Sequence, residues 1–164
     1  MLDSMEFHAV PVTLPDGANV IVGQAHFIKT IVDLHEALAS AAPGLNFGVA
    51  FCEASGPRLV RRSGNDEELT TAAVQTALDV GAGHCFVIFL RGGFPLNVLD
   101  RVRAVPEVVA LFCATANPLE VLVAETVTGR GVIGVVDGET PTGVETDDDV
   151  TARLGLLHQI GYRV

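Results

Sequence analysis

Short apolar runs of strand length alternate along this chain with segments whose apolar residues recur at helical spacing. The run from His84 to Leu90 is too uniformly apolar to face water, as in a buried strand. Upstream of it, Leu69, Ala73 and Val80 share one face of a helix. Helices that follow strands repeatedly predict an α/β fold. We expect one domain over residues 1–164, a three-layer α/β/α sandwich with a mixed sheet.

The same patterns predict the order of the elements. Asn65, with Glu68 three residues on, predicts a helix start, and Pro95 suits the first turn of another. The last helix is expected to point Val150, Leu154 and Leu157 inward. Strands are expected at 5–12, 18–22, 45–52, 58–62, 84–90, 108–114, 120–127 and 132–136, and helices from Thr30, from Asn65, from Pro95 and over 147–159.

Composition and charge indicate which classes of partner the chain can have. The chain has 164 residues, 49% hydrophobic and only 18% charged, against ~25% charged in typical soluble domains. This deficit predicts a homo-oligomer, with a trimer favoured. The net charge of −10 argues against a protein that coats nucleic acid, because that affinity comes mainly from basic residues. Six acids without a base between Asp137 and Asp149 predict a solvated loop leading into a helix.

Cysteine use and the N-terminus indicate the compartment. Cys52, Cys85 and Cys113 each lie in an apolar run and form no CxxC motif, which fits buried thiols in a reducing cytoplasm. The first ten residues lack the pattern of a signal peptide, and no apolar run approaches membrane-spanning length. We therefore expect a cytoplasmic protein without a membrane partner.

A glycine-rich segment, Gly129-Arg130-Gly131, begins the only G-x-G-x-x-G pattern. A strand follows it, whereas a dinucleotide site needs a helix there. Two interpretations stay open: a hairpin turn, or a loop whose amides and Arg130 contact a phosphate. The chain also lacks a P-loop, a GxSxG elbow and the histidine spacing of a zinc site.

The segment from Gly23 to Thr30 joins a strand end to a helix start and holds His26 and Lys29, the only lysine. Helix N-termini favour anions, and a histidine can act as a general base or carry a covalent group. We therefore predict catalytic roles for both residues. The alternative is a histidine bonded to backbone and a solvated lysine.

Other polar residues lie at predicted strand ends. Glu53 is expected to orient a histidine or bind a ribose hydroxyl, and its alternative role is to cap a turn. His84 starts an apolar strand and is expected to pack. The predicted substrate-binding residues are Thr115, Asn117, Gly129, Arg130 and Gly131.

Long stretches of the sequence resemble the adenosine-specific kinase family, a group of small prokaryotic proteins. The resemblance covers nearly the whole chain and extends to the terminal IGY. It is carried by NVIVGQAHFIKT at 19–30, FGVAFCEASGPRLVRRSGNDEEL at 47–69, GAGHCFVIFLRGGFPLNVL at 81–99 and VPEVVALFCATANPLEVLVAETVTGRGVIGVVDG at 105–138.

This resemblance implies an α/β/α fold, homo-oligomeric assembly, binding of adenosine or an adenine nucleotide, and a phosphorylatable histidine. The motif assigns that histidine to His26, with His84 as the competing candidate. ATP would be the phosphate donor, accompanied by Mg²⁺, for which Asp137 is a candidate ligand although no carboxylate pair is clearly placed. The alternative function is a nucleotide-binding sensor or regulatory oligomer without turnover.

Overall fold

The structure, a computed structural model, describes residues 5–163, and these form eight strands and four helices in the order expected from the sequence. The strands are β1 Glu6–Val12, β2 Asn19–Ala25, β3 Asn46–Cys52, β4 Val60–Gly64, β5 Cys85–Arg91, β6 Val108–Thr115, β7 Leu119–Glu125 and β8 Arg130–Asp137. The helices are α1 Thr30–Ala39, α2 Glu67–Val80, α3 Pro95–Arg103 and α4 Asp147–Gln159.

The α/β class is confirmed, but the expected mixed sheet is wrong. The strands form two sheets, one of five strands in the order β4-β3-β5-β2-β6 and one of three in the order β1-β7-β8. Each neighbouring pair in both sheets is antiparallel. Strand direction depends on pairings between distant segments, which local apolar patterns do not encode.

Three layers result, and the third is part helix and part sheet. On one face of the five-stranded sheet, Leu34 of α1 and Val98 of α3 pack against a core that includes Phe47 and Ile88. On its other face, α2 and the three-stranded sheet share the second core, which includes Leu69, Ala77, Val87, Phe89, Val121 and Val123. Burying apolar side chains on both faces of the larger sheet fixes its position in the middle.

The start of α2 differs from its prediction by one residue. The N-cap of α2 is Asp66, whose side chain accepts the amide of Leu69 at 3.1 Å. Asn65 instead accepts the amide of Phe47 and donates to the carbonyl of Leu45, both at 2.8 Å. The N-cap lies one residue later than predicted because the side chain of Asn65 bonds the backbone at the start of β3 instead of the first turn of α2.

Gly48 marks the closest approach of α2 to the five-stranded sheet. A Cβ atom built on Gly48 would overlap the backbone of Leu69 and Thr70 in α2. The helix can therefore lie on β3 only because residue 48 has no side chain.

The three cysteines are free thiols on the side of the sheet that faces α2. Burial raises the pKa of Cys52 and of Cys113 to about 11, and it raises the pKa of Cys85, in the central strand β5, further still. The expected burial is confirmed for Cys52 and Cys85, whereas Cys113 on the edge strand β6 is half-buried.

The last helix departs from its prediction. Val150, Leu154 and Leu157 were expected to face the core, but no residue of α4 is buried. The acidic segment does lead into a helix, as expected, and Thr146 and Asp149 cap its first turn by each bonding the other's backbone amide. No helix in the described part of the chain is both long and apolar enough to cross a membrane.

Candidate functional site

Four of the residues singled out in the sequence lie at one end of the five-stranded sheet. His26 follows the end of β2 and Glu53 follows the end of β3, while His84 precedes β5. Because β5 runs antiparallel between β2 and β3, its beginning lies beside their ends. Lys29, three residues after His26, belongs to the same end. We call it the histidine end of the sheet.

His26 lies in the loop between β2 and α1, with its side chain exposed. Its backbone amide donates to the carbonyl of Glu107 at 3.0 Å, which ties this loop to the start of β6. The imidazole makes no hydrogen bond within residues 5–163. The alternative interpretation was a histidine whose ring bonds to the backbone. The structure differs from it, because the ring of His26 is accessible from solvent.

Lys29 is held by carboxylates. Its Nζ donates to both oxygens of Asp33, at 2.6 and 2.5 Å, and lies 3.8 Å from a carboxylate oxygen of Glu107. The hydrogen bond to Asp33 raises the pKa of Lys29 and lowers the pKa of Asp33. The ammonium group of Lys29, for which we predicted a catalytic role, is thus already paired with Asp33 in the same helix.

Asp33 and Glu107 are site residues that the sequence analysis missed. Glu107 is buried, and its Oε2 has no hydrogen-bond partner in the described residues. Asp33 could have been found, because a lysine and an aspartate four residues apart on a helix face form ion pairs. Glu107 gave no such signal, because it comes close to Lys29 only through the pairing of β6 with β2.

Glu53 caps the turn between β3 and β4. Its two carboxylate oxygens accept the amide of Leu59 at 2.9 Å and the guanidinium of Arg61 at 2.7 Å. The hydrogen bond from the Leu59 amide and, to a smaller extent, the one from Arg61 hold the pKa of Glu53 below its usual range. Its expected contact with a histidine is not among the hydrogen bonds of residues 5–163, and the geometry matches its alternative role as a turn cap.

His84 packs, as expected, but on a strained backbone. Its ring stacks on Phe51 with centroids 5.8 Å apart, its amide donates to Cys52, and its carbonyl accepts the amide of Ala25. Its φ of 64° lies in the left-handed region, which is costly for a residue with a side chain. Only Arg58, with φ 54°, shares this feature among the non-glycine residues of the described chain. Such strain concentrates at functional sites.

A cleft of about 660 Å³ opens beside the histidine end, between the β3–β4 turn, the end of α2 and the β7–β8 turn. Its floor is apolar and includes the buried residues Cys52 and Ala77 and the half-buried Val132, while Leu78 lines the cleft with an exposed side chain. Its polar rim includes Glu53, Arg58, Thr126, Thr128, Gly129 and Arg130. An apolar floor under a few convergent polar groups is the usual form of a small-molecule site.

Arg130 is held in place at the rim of the cleft. Its guanidinium bonds Glu125 at 2.9 and 2.8 Å and donates to the carbonyl of Asp79 at 3.2 Å. The bond from Arg130 lowers the pKa of Glu125. By contrast, the side chain of Arg58 makes no hydrogen bond or ion pair within residues 5–163. At the rim, the guanidinium of Arg130 is thus held by hydrogen bonds, whereas that of Arg58 has no partner within residues 5–163.

The glycine-rich segment forms a hairpin turn, as the first of its two interpretations predicts, and the same residues face the cleft. Thr126 bonds the carbonyl of Gly129 through its amide, at 2.9 Å, so residues 126–129 close the hairpin between β7 and β8. Gly129, Arg130 and Gly131 also line the cleft. The segment is a hairpin turn that faces a cavity.

Thr115 and Asn117 do not join this group. Thr115 pairs with Val20, at the opposite end of β2 from His26. Asn117 donates to Asp137 at 3.3 Å, and Asp137 pairs with Leu119, a full strand away from the Glu125–Arg130 pair. The ends of β3 and β6 lie at opposite ends of the sheet because β6 runs antiparallel to β2 and β3, so within one chain the structure does not bring Thr115 and Asn117 together with Gly129 and Arg130.

The described residues offer no ready-made cluster of metal ligands. Within residues 5–163, no three His, Cys, Asp or Glu side chains are placed to hold an ion together. Asp137, the candidate for Mg²⁺, lies with Asn117 at the end opposite the cleft.

Comparison with known proteins gives the family. No curated protein matches the sequence. The chain is 42% identical to the PH1918 protein from Pyrococcus horikoshii OT3, whose crystal structure superposes with a TM-score of 0.94 over 98% of this chain and 99% of that one. The model of the family described as adenosine specific kinase matches residues 10–163. The chain therefore belongs to the adenosine-specific kinase family.

Proposed function

We propose that this protein binds adenosine and adenine nucleotides in the cleft and transfers a phosphoryl group to adenosine. Family membership supports the activity. The observation that carries the choice of site is the pairing of an apolar floor with two arginines and two threonines at one rim. The floor suits a purine, and the rim suits a ribose phosphate.

Size and charge both fit this ligand. Small-molecule sites commonly span about 300–1,000 Å³, and the cleft measures about 660 Å³. The chain is acidic, with a net charge of −10, yet Arg58 and Arg130 both line this cleft. Phosphoryl transfer needs positioning and positive charge more than covalent chemistry. Arg58 can supply the charge, whereas the charge of Arg130 is already balanced by Glu125.

A melting series tests the nucleotide part of this proposal. A ligand that binds only the folded state at a hundredfold excess over its Kd adds about 2.7 kcal/mol to the free energy of unfolding. For a chain of this length we expect adenosine, AMP or ADP to raise Tm by roughly 5–10 °C. Guanosine and its nucleotides are the controls and should shift Tm much less. A transition that none of the adenine compounds moves would refute adenine-nucleotide binding.

A phosphohistidine at His26 is the mechanistic part of the proposal. Its imidazole would take the phosphoryl group of ATP, releasing ADP, and pass it to a hydroxyl of adenosine. The exposed ring and the adjacent N-terminus of α1 support this role, because helix N-termini stabilise negative charge. Lys29 contributes only if it leaves Asp33, so its catalytic role implies a rearrangement on phosphorylation.

We expect His26→Ala to lose the phosphohistidine and the phosphorylation of adenosine while keeping its fold, because His26 is exposed and bonds only through its backbone. The measurement is intact mass at neutral to alkaline pH after incubation with ATP, since acid removes phosphohistidine. His84→Ala is the control: it should lose stability, through the Phe51 stack, more than phosphate. Phosphate retained by His26→Ala and lost from a folded His84→Ala would reverse the assignment.

A nucleotide sensor without turnover is the second candidate. One observation favours it: His26 is not among the residues that line the cleft. Steady-state production of ADP from ATP in the presence of adenosine and Mg²⁺ separates the two functions. We expect adenosine-dependent turnover from the kinase, whereas a sensor would show the melting shift alone.

A further inference from the structure

Three charged or titratable side chains meet at the end of the three-stranded sheet that borders the cleft. His8 of β1, Glu125 of β7 and Arg130 of β8 lie on adjacent strands, because β7 pairs with both β1 and β8. The Oε2 atom of Glu125 lies 3.0 Å from Nε2 of His8, and it lies 2.9 and 2.8 Å from two nitrogens of Arg130. One carboxylate oxygen therefore faces two basic side chains. We call these three residues the His8 cluster.

His8 is the member of the cluster whose charge changes near neutral pH, since histidines ordinarily titrate near pH 6.5 and arginines stay charged. The hydrogen bond from Arg130 holds the pKa of Glu125 below its usual range, and His8 adds a smaller lowering, so Glu125 stays ionised. The Nε2 atom of His8 is shielded from water and forms no hydrogen bond within residues 5–163. Its interaction with Glu125 is therefore one of charge, and protonation of the ring strengthens it.

Two other acidic residues flank the cluster. On the same strand as His8, an oxygen of Glu6 lies 3.8 Å from Nε2, but that side chain is 68% exposed, so water screens its charge. The helix α2 contacts β1 and carries Asp79 in its last turn. The carboxylate of Asp79 accepts the side-chain amide of Gln75 at 2.8 Å. Glu125 is thus the acid that couples His8 to Arg130.

The cluster reaches the cleft through Arg130. Arg130 lines the cleft, and so do Ala124 and Thr126, on either side of Glu125, whereas His8 does not. A charge on His8 therefore acts on a bound ligand at a distance, through Glu125 and Arg130, and not by contact. His8 also precedes residues 10–163, which the family model matches, so family membership assigns it no role.

We propose that His8 is a positioning residue that sets how strongly the cleft prefers adenine nucleotides to adenosine. With His8 neutral, Glu125 balances Arg130 and the cluster carries no net charge. With His8 protonated, two cations share one carboxylate, and the cluster gains one positive charge beside the ligand. That charge attracts the phosphates of ADP, and adenosine has no charge for it to attract. The proposal rests on the proposed nucleotide function of the cleft.

The test is the ratio of the Kd for adenosine to the Kd for ADP, measured by calorimetric titration at about pH 8 and about pH 6. His8→Gln keeps residue 8 neutral at both. We expect the wild-type ratio to equal that of His8→Gln at the higher pH and to exceed it about three- to tenfold at the lower one. ADP itself gains protons toward pH 6, but equally for both proteins, so their comparison isolates His8.

His8→Lys provides the rescue, because lysine stays charged at both pH values. This variant should show, at the higher pH, the strong preference for ADP that the wild type reaches only at the lower one. A structural role of His8 would predict neither the pH dependence nor its restoration by lysine. His158→Gln, at an exposed histidine of α4, is the control and should keep the wild-type pH dependence.

Proton uptake gives a second readout that needs no turnover. A ligand that favours the charged form of His8 takes up protons as it binds. Titrations of ADP in buffers of different ionisation enthalpy should therefore show more proton uptake by the wild type than by His8→Gln.

Equal ratios in the wild type and in folded His8→Gln at both pH values would refute the proposal and leave the nucleotide function standing. A change in adenosine affinity as large as that in ADP affinity would also refute it, because the effect would then not depend on phosphate. If His8→Gln did not fold, His8→Lys with a wild-type ratio at the higher pH would refute it as well. A wild type that binds neither compound would refute the proposed function, and this proposal with it.

Discussion

Gly48→Ala is expected to lower the free energy of unfolding by about 3 kcal/mol or more, the upper range for overpacked cores. For a chain of this length that corresponds to a fall in Tm of roughly 6–12 °C. The reason is the rigidity of what the new methyl group meets. It would overlap the backbone of Leu69 and Thr70, which a change of rotamer cannot move. The whole of α2 would have to shift away from β3, and with it the core that includes Leu69 and Ala77.

Gly143→Ala is the matched control for this measurement. It makes the same chemical change at a position where a Cβ meets nothing within 4 Å. Exposed substitutions of this kind usually stay within about 0.5 kcal/mol of the wild type. If Gly48→Ala melted with Gly143→Ala, the close approach of α2 to β3 would not exist in solution.

Arg58→Gly is expected to separate stability from ligand binding. The left-handed backbone of Arg58 costs about 1–2 kcal/mol for a residue with a side chain, and glycine removes that cost while adding freedom to the unfolded chain. The net gain should be about 0.5–1 kcal/mol. The same change removes the uncommitted cation at the cleft. A hydrogen bond to a charged group contributes about 1.5–3 kcal/mol, so affinity for ADP should fall roughly tenfold or more.

Arg58→Ala is the partner variant for this experiment. It removes the same charge but retains a Cβ at positive φ, so it should lose ADP affinity without the gain in Tm. Calorimetric titration with ADP and a thermal melt of both variants provide the two measurements. Normal ADP affinity in both would exclude Arg58 from the phosphate subsite and weaken the assignment of the cleft.

The elements were predictable because each is encoded by residues near one another in the chain. The apolar run of β5 and the repeated apolar face of α2 are local patterns, and both elements occur where they were expected. The turn at Gly129 was predictable for the same reason. Asn65 was misassigned by one position because its side chain bonds Leu45 and Phe47, about twenty residues upstream.

The grouping of the site residues was only partly predictable, because it depends on strand direction. Glu53, Gly129 and Arg130 do meet at one cleft, whereas Thr115 and Asn117 lie at the far end of the sheet. The carboxyl ends of neighbouring strands gather at one edge only when the strands are parallel, and these strands are antiparallel. The inward orientation of α4 failed for another reason. Periodicity identifies an apolar face, but it does not show whether the rest of the chain covers that face.

Chemical modification of the three free cysteines can report which parts of the sheet open to solvent. Alkylating reagents attack the thiolate, which is scarce at neutral pH when the pKa of a cysteine is about 11, as for Cys52 and Cys113. Modification of the buried Cys52 and Cys85 must therefore wait for a fluctuation that exposes the sulfur to water. Cys113 lies on an edge strand and Cys85 at the centre of the same sheet, so peeling of β6 labels the first while only wider unfolding labels the second. The order in which the three cysteines are modified would therefore indicate the order in which the strands of the sheet separate.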